Sequence, residues 1–330
     1  MRKPALAVLL FSLVSTSAAA QCDSCLNRTV TVNVFDGTGN PVKSLGKANF
    51  RAVMHKREVG IVSASYDAGP HRIVILLDTS GSMISGAKWK AAVAVAEALV
   101  SWASPQSSLA LLNFTDHVED KIGFSHGRKE VADELAKLES TRWREIKGPR
   151  KTAVLDALLE ALSLLQPAHS GDAICLISDS YDNASETRQS QMNQALLTSG
   201  VRLFGFAPLD RRESGGSSVP MSRLGPGQVR ELTETTGGSF YAFTALWDRI
   251  GFSAPGQVQL SPQDREALLS ASQVLSFELS EFYRLQIALP EVPDKARRWT
   301  LELVDSGGKR NPHFQLVYPR LLANCQSGEK

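Results

Sequence analysis

The sequence has little net charge, few cysteines and no long apolar run after its first twenty residues. Its 36 Lys and Arg against 34 Asp and Glu leave a net charge of +2. Such a balance gives no field strong enough to argue for binding of nucleic acid or a membrane surface. No stretch beyond residue 20 is long and apolar enough to span a bilayer. The composition, 43% hydrophobic and 21% charged, is that of a soluble globular chain with a sizeable core.

The motifs of common enzyme classes are also missing. The sequence contains no Gly-x-Ser-x-Gly, no His-Glu-x-x-His, no phosphate-binding loop and no dinucleotide fingerprint. The six histidines are scattered, and none is paired with an evident nucleophile. We therefore predict that the protein is not an enzyme, with a metal-dependent hydrolase as the alternative.

The first twenty residues have the organisation of a secretory signal peptide. Arg2 and Lys3 precede an apolar run at 5–14, and three alanines at 18–20 form a small-residue cleavage site. We therefore predict an exported chain, periplasmic or secreted. Cleavage would leave Cys22 near the new terminus, but the preceding Ala-Ala-Gln is a poor lipoprotein signal and disfavours a lipid anchor there.

Export permits disulfides among the four cysteines. Three of them, Cys22, Cys25 and Cys325, lie near the two ends of the sequence. Two arrangements stay open, either a bridge from Cys22 or Cys25 to Cys325, or a local Cys22–Cys25 loop with unpaired ends. Cys175 lies within the apolar run AICLI and is expected to be a buried free thiol.

After the signal peptide, the residue pattern divides the chain into three parts, 21–69, 70–250 and 251–330. The middle part alternates continuous apolar strands with helical segments, which is typical of a doubly wound, mostly parallel α/β sheet flanked by helices, in the Rossmann-like class. The first part and the last contain short alternating strands, and a long helix is predicted at 264–283. Neither end has enough strands to fold alone, so we predict that they pack together as a small β-sandwich-like module.

Oxygen-bearing side chains follow the central strands of the predicted sheet. Asp78 comes directly after the apolar run 73–77, and Ser80 and Ser82 lie in the turn that follows. Asp179 ends the strand predicted at 173–178, and Thr152 precedes a helix. Because ligands of open α/β sheets bind at the carboxyl ends of the strands, we expect these five side chains to converge.

Short carboxylates and hydroxyls are suitable ligands for a hard divalent cation. They favour Mg²⁺, and Mn²⁺ or Ca²⁺ are also possible because these ions prefer oxygen ligands. Zinc is disfavoured, because no His or Cys lies nearby in the sequence. Two carboxylates only balance the charge of the ion, so an open coordination position would accept a carboxylate from another molecule. The alternative interpretation is that Asp78 and the hydroxyls cap the next helix.

The segments AGPHRIVILLDTSGSM, KTAVLDAL and CLISDSYDN resemble the von Willebrand factor type A (VWA) domain with a complete metal-ion-dependent adhesion site (MIDAS). The flanks VTVNVFDGTGNPVKSLGKANF and ELSEFYRLQIALP are similar to a bacterial exported VWFA-related family. The resemblance implies that Asp78, Ser80, Ser82, Thr152 and Asp179 hold the metal. It also implies a cation-dependent protein-binding or adhesion module rather than an enzyme. One departure is the serine at position 180, where the family usually has glycine.

A basic stretch with one aromatic residue, RWREIKGPRK at 142–151, leads to the predicted threonine ligand. We predict that Trp143, Arg144 and Lys147, with Tyr181 on the neighbouring loop, form a rim that draws an acidic protein partner toward the metal. The alternative is a solvated charged surface. The alternative to a protein-binding function is a structural scaffold in the cell envelope. In that case the metal would only hold together the loops of this protein.

Overall fold

The computed structural model describes residues 25–83, 88–140, 151–209, 224–244 and 260–325. The predicted signal peptide at 1–20, Cys22, Trp143, Arg144 and Lys147 lie outside the described residues. Within the described ranges, no helix combines the length and apolar character needed to cross a membrane.

The strands of the described chain form two large sheets and one small one. Numbered in chain order, they are β1 (Asn27–Phe35), β2 (Phe50–Met54), β3 (Arg57–Asp67), β4 (Arg72–Asp78), β5 (Ser108–Phe114), β6 (Val118–Ile122), β7 (Ala173–Ile177), β8 (Arg202–Leu209), β9 (Phe240–Thr244), β10 (Phe282–Ala288), β11 (Arg297–Arg298), β12 (Thr300–Leu303), β13 (Gln315–Val317) and β14 (Leu321–Leu322).

Six α-helices are described between and after these strands. They are α1 (Lys88–Trp102), α2 (Arg128–Ser140), α3 (Val154–Leu164), α4 (Gln189–Ser199), α5 (Pro226–Thr236) and α6 (Pro262–Ser280). A single 3-10 turn, Lys47–Asn49, precedes β2.

The middle of the chain folds as a six-stranded mixed sheet with the order β6-β5-β4-β7-β8-β9. Strands β5, β4, β7, β8 and β9 are parallel, and only the charged edge strand β6 is antiparallel. The predicted α/β class with a mostly parallel sheet is thus confirmed. The chain passes from β4 to β5 on one side and later to β7 on the other, so the strand order reverses at β4 and β7.

Helices cover both faces of this sheet, which explains why its strands are continuously apolar. In β4, Ile73, Ile75 and Leu77 pack with α1, α2 and α6 on one face. Val74 and Leu76 point to the other face, against α3, α4 and α5. All five side chains are buried, so the central strands are fixed between two hydrophobic layers.

The two ends of the described chain combine into a second, antiparallel sheet of six strands with the order β12-β2-β3-β10-β1-β13. Strand β10 lies between β1 and β3 and pairs with both. One face of the sheet has its own core, which includes Val32 and Leu285 of the sheet and also Trp299, Tyr318 and Leu322. Strand β14, which contains Leu322, pairs with β11 in a separate two-stranded sheet. Both ends thus contribute strands to one antiparallel sheet, which is consistent with the predicted module.

The long C-terminal helix ends three residues earlier than predicted. It ends at Ser280, because Phe282 and Tyr283 already belong to β10, where strand partners lie on both sides. Their side chains are buried. Tertiary pairing therefore overrides a helical pattern that continues through these residues.

A buried arginine connects the α/β body with the antiparallel sheet. The Arg202 guanidinium donates to the main-chain oxygens of Glu278 and Leu279 at 2.8 and 3.1 Å and lies 4.3 Å from the ring centroid of Phe282. Asn33 of β1 donates to the Glu278 oxygen as well, at 3.0 Å. Arg202 is fully buried, so these contacts bring the end of α6, β8 and β1 together.

A disulfide joins Cys25 to Cys325, whose Cα atoms are 5.6 Å apart although 300 residues separate them in sequence. Cys25 precedes β1 and Cys325 follows β14, so the bridge closes the antiparallel sheet module. Of the two arrangements left open by the sequence, the structure thus has the long-range one. Cys175 is buried in β7 and free, and burial raises the pKa of its thiol to about 12.

Candidate metal centre

The candidate metal centre lies where β4 and β7 end side by side. The two strands are parallel neighbours, with Leu77 paired to Ile177. Asp78 therefore leaves the sheet at the same edge as Asp179, and both side chains are fully buried. This is the point where the strand order reverses, the usual position of ligand sites in open α/β sheets.

The Asp78 carboxylate is held on both of its oxygens. The main-chain N–H of Ser80 donates to Oδ1 at 2.9 Å, and the hydroxyl of Ser178 donates to Oδ2 at 2.6 Å. The first bond belongs to the tight turn that follows β4, and the second crosses from β7. The carboxylate thus has a fixed orientation at the strand end.

The turn after β4 presents two serine hydroxyls close together. The Oγ atoms of Ser80 and Ser82 are 3.2 Å apart, and the Met83 N–H donates to the Ser80 carbonyl at 3.0 Å. Ser80 is buried, whereas Ser82 is exposed. The hydroxyl pair therefore runs from the buried carboxylate toward the molecular surface.

The Asp179 carboxylate faces a buried lysine. Lys88 Nζ lies 3.1 Å from Asp179 Oδ2, and only 1% of the lysine side chain is exposed. The N–H of Tyr181 donates to Asp179 Oδ1 at 3.4 Å. Between them Ser180 has φ of 72°, in the left-handed region where glycine is favoured. Ser180 therefore adopts a backbone conformation that is unusual for a residue with a side chain.

Thr152 is buried and joined to the loop that contains the second aspartate. Its N–H donates to Asn183 Oδ1 at 2.9 Å, and its carbonyl accepts from the N–H groups of Asn183 and Ala184 at 3.0 and 3.1 Å. The next N–H, of Ala153, donates to the Thr115 carbonyl at 2.8 Å. Three loops are thus connected by hydrogen bonds at the candidate site.

The electrostatics of this site disfavour two ionised carboxylates. Burial and the neighbouring Asp179 carboxylate raise the pKa of Asp78 to about 7, although Ser178 and Ser80 donate to it. Among the described residues, no group of three or more His, Cys, Asp or Glu side chains could hold a metal. The donors at the two strand ends are the carboxylates of Asp78 and Asp179 and the hydroxyls of Ser80 and Ser82, and such oxygens fit a hard ion such as Mg²⁺ better than zinc.

Of the predicted rim, only Tyr181 lies within the described residues. It is partly buried, and its loop is attached to the segment before α5, because the Asp182 N–H donates to the Leu224 carbonyl at 3.3 Å. Lys151, the last residue of the basic stretch, is exposed next to Thr152. These positions place one aromatic and one basic residue on the loops of the candidate site.

Sequence reasoning missed two residues that contact the aspartates. Ser178 directly precedes Asp179 at the end of an apolar strand, a position that could have been recognised by the same argument as Asp78. Lys88 gave no comparable signal, because a lysine in a helical segment is normally a solvated charge. Its partner lies 91 residues further along the chain.

Residues 73–181, about a third of the chain, match the model of the von Willebrand factor type A domain family. The matched stretch contains Asp78, Ser80, Ser82, Thr152 and Asp179, and the mixed sheet flanked by helices is a VWA-like α/β fold. A comparison with curated proteins finds no match.

Three solved structures illustrate the likeness. The conserved hypothetical protein BatB from Bacteroides thetaiotaomicron is 18% identical with a TM-score of 0.41, covering 64% of this chain and 98% of that one. An aerotolerance-related membrane protein from Bacteroides fragilis is 16% identical with a TM-score of 0.40, covering 63% and 98%. A von Willebrand factor type A structure from Catenulispora acidiphila is 10% identical with a TM-score of 0.41, covering 94% and 76%.

Proposed function

We propose that this protein is an exported, divalent-cation-dependent protein-binding module. The observation that carries the proposal is the pair of fully buried carboxylates, Asp78 and Asp179, at the ends of neighbouring strands. A cation bound at this place would offset a repulsion that otherwise raises the pKa of Asp78. VWA domains generally mediate protein–protein interaction and adhesion.

In this proposal, Mg²⁺ is held by Asp78, Ser80 and Ser82, with Thr152 and Asp179 binding it directly or through water. Mg²⁺ keeps some of its waters in protein sites. Ser82 is exposed while Ser80 is buried, so the surface side of the ion is the side open to a partner. A carboxylate from the partner protein would replace water there.

Two features support export and an acidic partner. The Cys25–Cys325 disulfide is of a kind that forms and persists in oxidising compartments, in agreement with the predicted signal peptide at 1–20. The basic stretch 142–151, with Arg144 and Lys147, would attract an acidic segment, and Tyr181 would provide an aromatic contact.

The test is a pull-down from the exported fraction of the source cells with the immobilised protein, in Mg²⁺ and in chelator. Wild type is compared with Asp78→Ala and with a matched control, Asp133→Ala, an exposed position on α2. We expect immobilised wild type and the Asp133→Ala control to capture partner proteins in Mg²⁺. The Asp78→Ala variant should capture none of them, and in chelator none of the three immobilised proteins should. The same bound proteins in all conditions would contradict the proposal and favour a structural scaffold. Turnover of a generic ester or phosphoester that depends on Asp78 would favour a hydrolase.

The basic rim is tested separately once a bound protein is identified. Reversing the charges at Arg144 and Lys147 to glutamate should slow association and reduce its dependence on salt concentration. The matched control reverses Lys129, an exposed residue on α2. If association rate and salt dependence stay at wild-type values, the basic stretch is a solvated surface and not part of the binding site.

A further inference from the structure

Lys88 is an unusual residue at the candidate metal centre because its charge is completely removed from water. Its side chain is 1% exposed and Asp179 is 0% exposed, with Lys88 Nζ 3.1 Å from Asp179 Oδ2. Taking an ammonium out of water is expensive, and lysine is almost never fully buried unless paired. The ion pair with Asp179 therefore places the positive charge of Lys88 inside the candidate cation site.

This charge changes the electrostatic balance of the site. With Asp78 and Asp179 ionised, the two carboxylates and the Lys88 ammonium leave a net charge of minus one before a divalent ion binds. A divalent ion then brings the net charge to plus one. Without Lys88, the corresponding charges would be minus two and zero, so the open position of the loaded site would attract an anion less strongly.

Two opposite effects on binding follow from this balance. The ammonium repels an incoming divalent ion and takes up one oxygen of Asp179, so it weakens cation binding. In the loaded site, the same ammonium adds to the positive potential at the open position, so it strengthens binding of a carboxylate. Both effects are large where water is excluded, because charges interact more strongly at low dielectric. Cation and carboxylate thereby become thermodynamically coupled, each raising the affinity for the other.

We infer that Lys88 is a specificity-determining residue of this site, a built-in positive charge that lowers affinity for the free cation and selects a carboxylate as the ligand of the loaded centre. The inference rests on the proposed function, because it requires a cation at Asp78. It adds that the resting site binds its ion weakly and that the ion is retained when an acidic partner completes its coordination.

The first experiment measures Mn²⁺ binding alone, by the electron paramagnetic resonance signal of the free ion, on the full chain. The variants are Lys88→Met, Lys88→Gln and Lys88→Arg, with Lys90→Met as the matched control. Lys90 is exposed on the same helix, so its substitution changes the net charge equally without touching the site. The Asp78→Ala variant identifies the Mn²⁺ that is bound at this centre, and far-UV circular dichroism confirms that each variant is folded.

We expect both neutral variants at position 88 to bind Mn²⁺ more tightly than wild type, by about tenfold or more. Lys88→Arg keeps the charge and should stay near wild type, as should Lys90→Met. The second experiment titrates acetate into the Mn²⁺-loaded proteins and follows water-proton relaxation, which falls as acetate replaces a bound water. Wild type should respond at lower acetate concentration than Lys88→Met.

The outcomes separate this inference from the proposed function. If wild type binds Mn²⁺ through Asp78 and the neutral variants bind it equally or more weakly, the role of Lys88 is refuted and the cation site stands. An acetate response that is the same in wild type and Lys88→Met refutes the selection of a carboxylate. If neither wild type nor any position-88 variant binds Mn²⁺ in a manner dependent on Asp78, the proposed function itself is wrong.

Discussion

The hydroxyl of Ser178 donates to Asp78 Oδ2 at 2.6 Å, although the two residues are 100 positions apart in sequence. This bond ties the ends of β4 and β7 and fixes one carboxylate oxygen before any cation binds. The two carboxylate oxygens of Asp78 are therefore oriented by the fold.

Removal of the Asp78 carboxylate should abolish stabilisation by Mg²⁺. A ligand present at a hundred times its Kd stabilises the folded state by about 2.7 kcal/mol. We expect saturating Mg²⁺ to raise the Tm of wild type and of Asp133→Ala, and to leave the Tm of Asp78→Ala unchanged. Differential scanning fluorimetry with Mg²⁺ and with chelator measures this. An equal rise in Asp78→Ala would place the ion elsewhere.

The free energy of unfolding in chelator should fall as pH rises toward neutrality. The pKa of Asp78 is about 7 in the folded state and close to 4 in an unfolded chain. The folded state therefore binds the Asp78 proton more tightly than the unfolded state does. The contribution of this proton to the free energy of unfolding is complete below about pH 4 and is lost as pH rises through about 7.

The Asp78→Asn variant should lack that decline. Urea titrations between pH 4 and 8 measure the free energy of unfolding of both proteins. Over this range wild type should lose at most about 4 kcal/mol more than the variant, because that is the free energy for one group with this change in pKa. Glu278, whose pKa burial also raises to about 7, is present in both proteins and cancels. Parallel stability curves for the two proteins would contradict the prediction, and saturating Mg²⁺ should remove most of the difference.

Replacement of Ser180 by glycine should stabilise the protein. Ser180 has φ of 72°, and a non-glycine residue in this region costs about 1 kcal/mol. Loss of its 3.3 Å hydrogen bond to the Ser178 carbonyl offsets part of that gain, so we expect about 0.5 kcal/mol in urea unfolding. Ser44→Gly is the matched control, because Ser44 has φ of 71° on an exposed loop. A loss of stability in Ser180→Gly alone would show that the serine hydroxyl matters more than the strain.

Reduction of the disulfide should weaken the antiparallel sheet module. A bridge that closes a long loop typically contributes about 2–4 kcal/mol, so a reductant should lower the Tm of wild type. The double variant Cys25→Ser/Cys325→Ser should start at the lower value and show no further change with reductant. A non-reduced digest in which no peptide is linked to Cys325 would disprove the bridge.

The sequence was most informative where a pattern is local. The alternation of strands and helices predicted for 70–250 is observed from β4 to β9. Its central strands are continuously apolar because helices cover both faces of the sheet. The position of Asp78 and Asp179 at strand ends follows from the same patterns. The structure places both at one edge because β4 and β7 are neighbours.

Interactions between distant residues could not be predicted in this way. The apolar and polar pattern of β10 indicates a strand, but not that it lies between β1 and β3. Arg202 follows the glycine that ends α4 and has no local feature that predicts burial against Phe282. The Lys88–Asp179 pair is of the same kind. Such contacts depend on how the helices and strands pack against one another. The spacing of residues along a single sequence does not predict that packing.

The central position of β10 determines when the second sheet can be completed during synthesis. Strands β1 and β3 emerge first, but the α/β body is made before the strand that joins them. Until then their inner edges are unpaired, and open strand edges promote aggregation. The emerging chain therefore passes through a stage in which its α/β body can fold while its first strands need protection, and a chaperone that binds β1 and β3 would act at that stage.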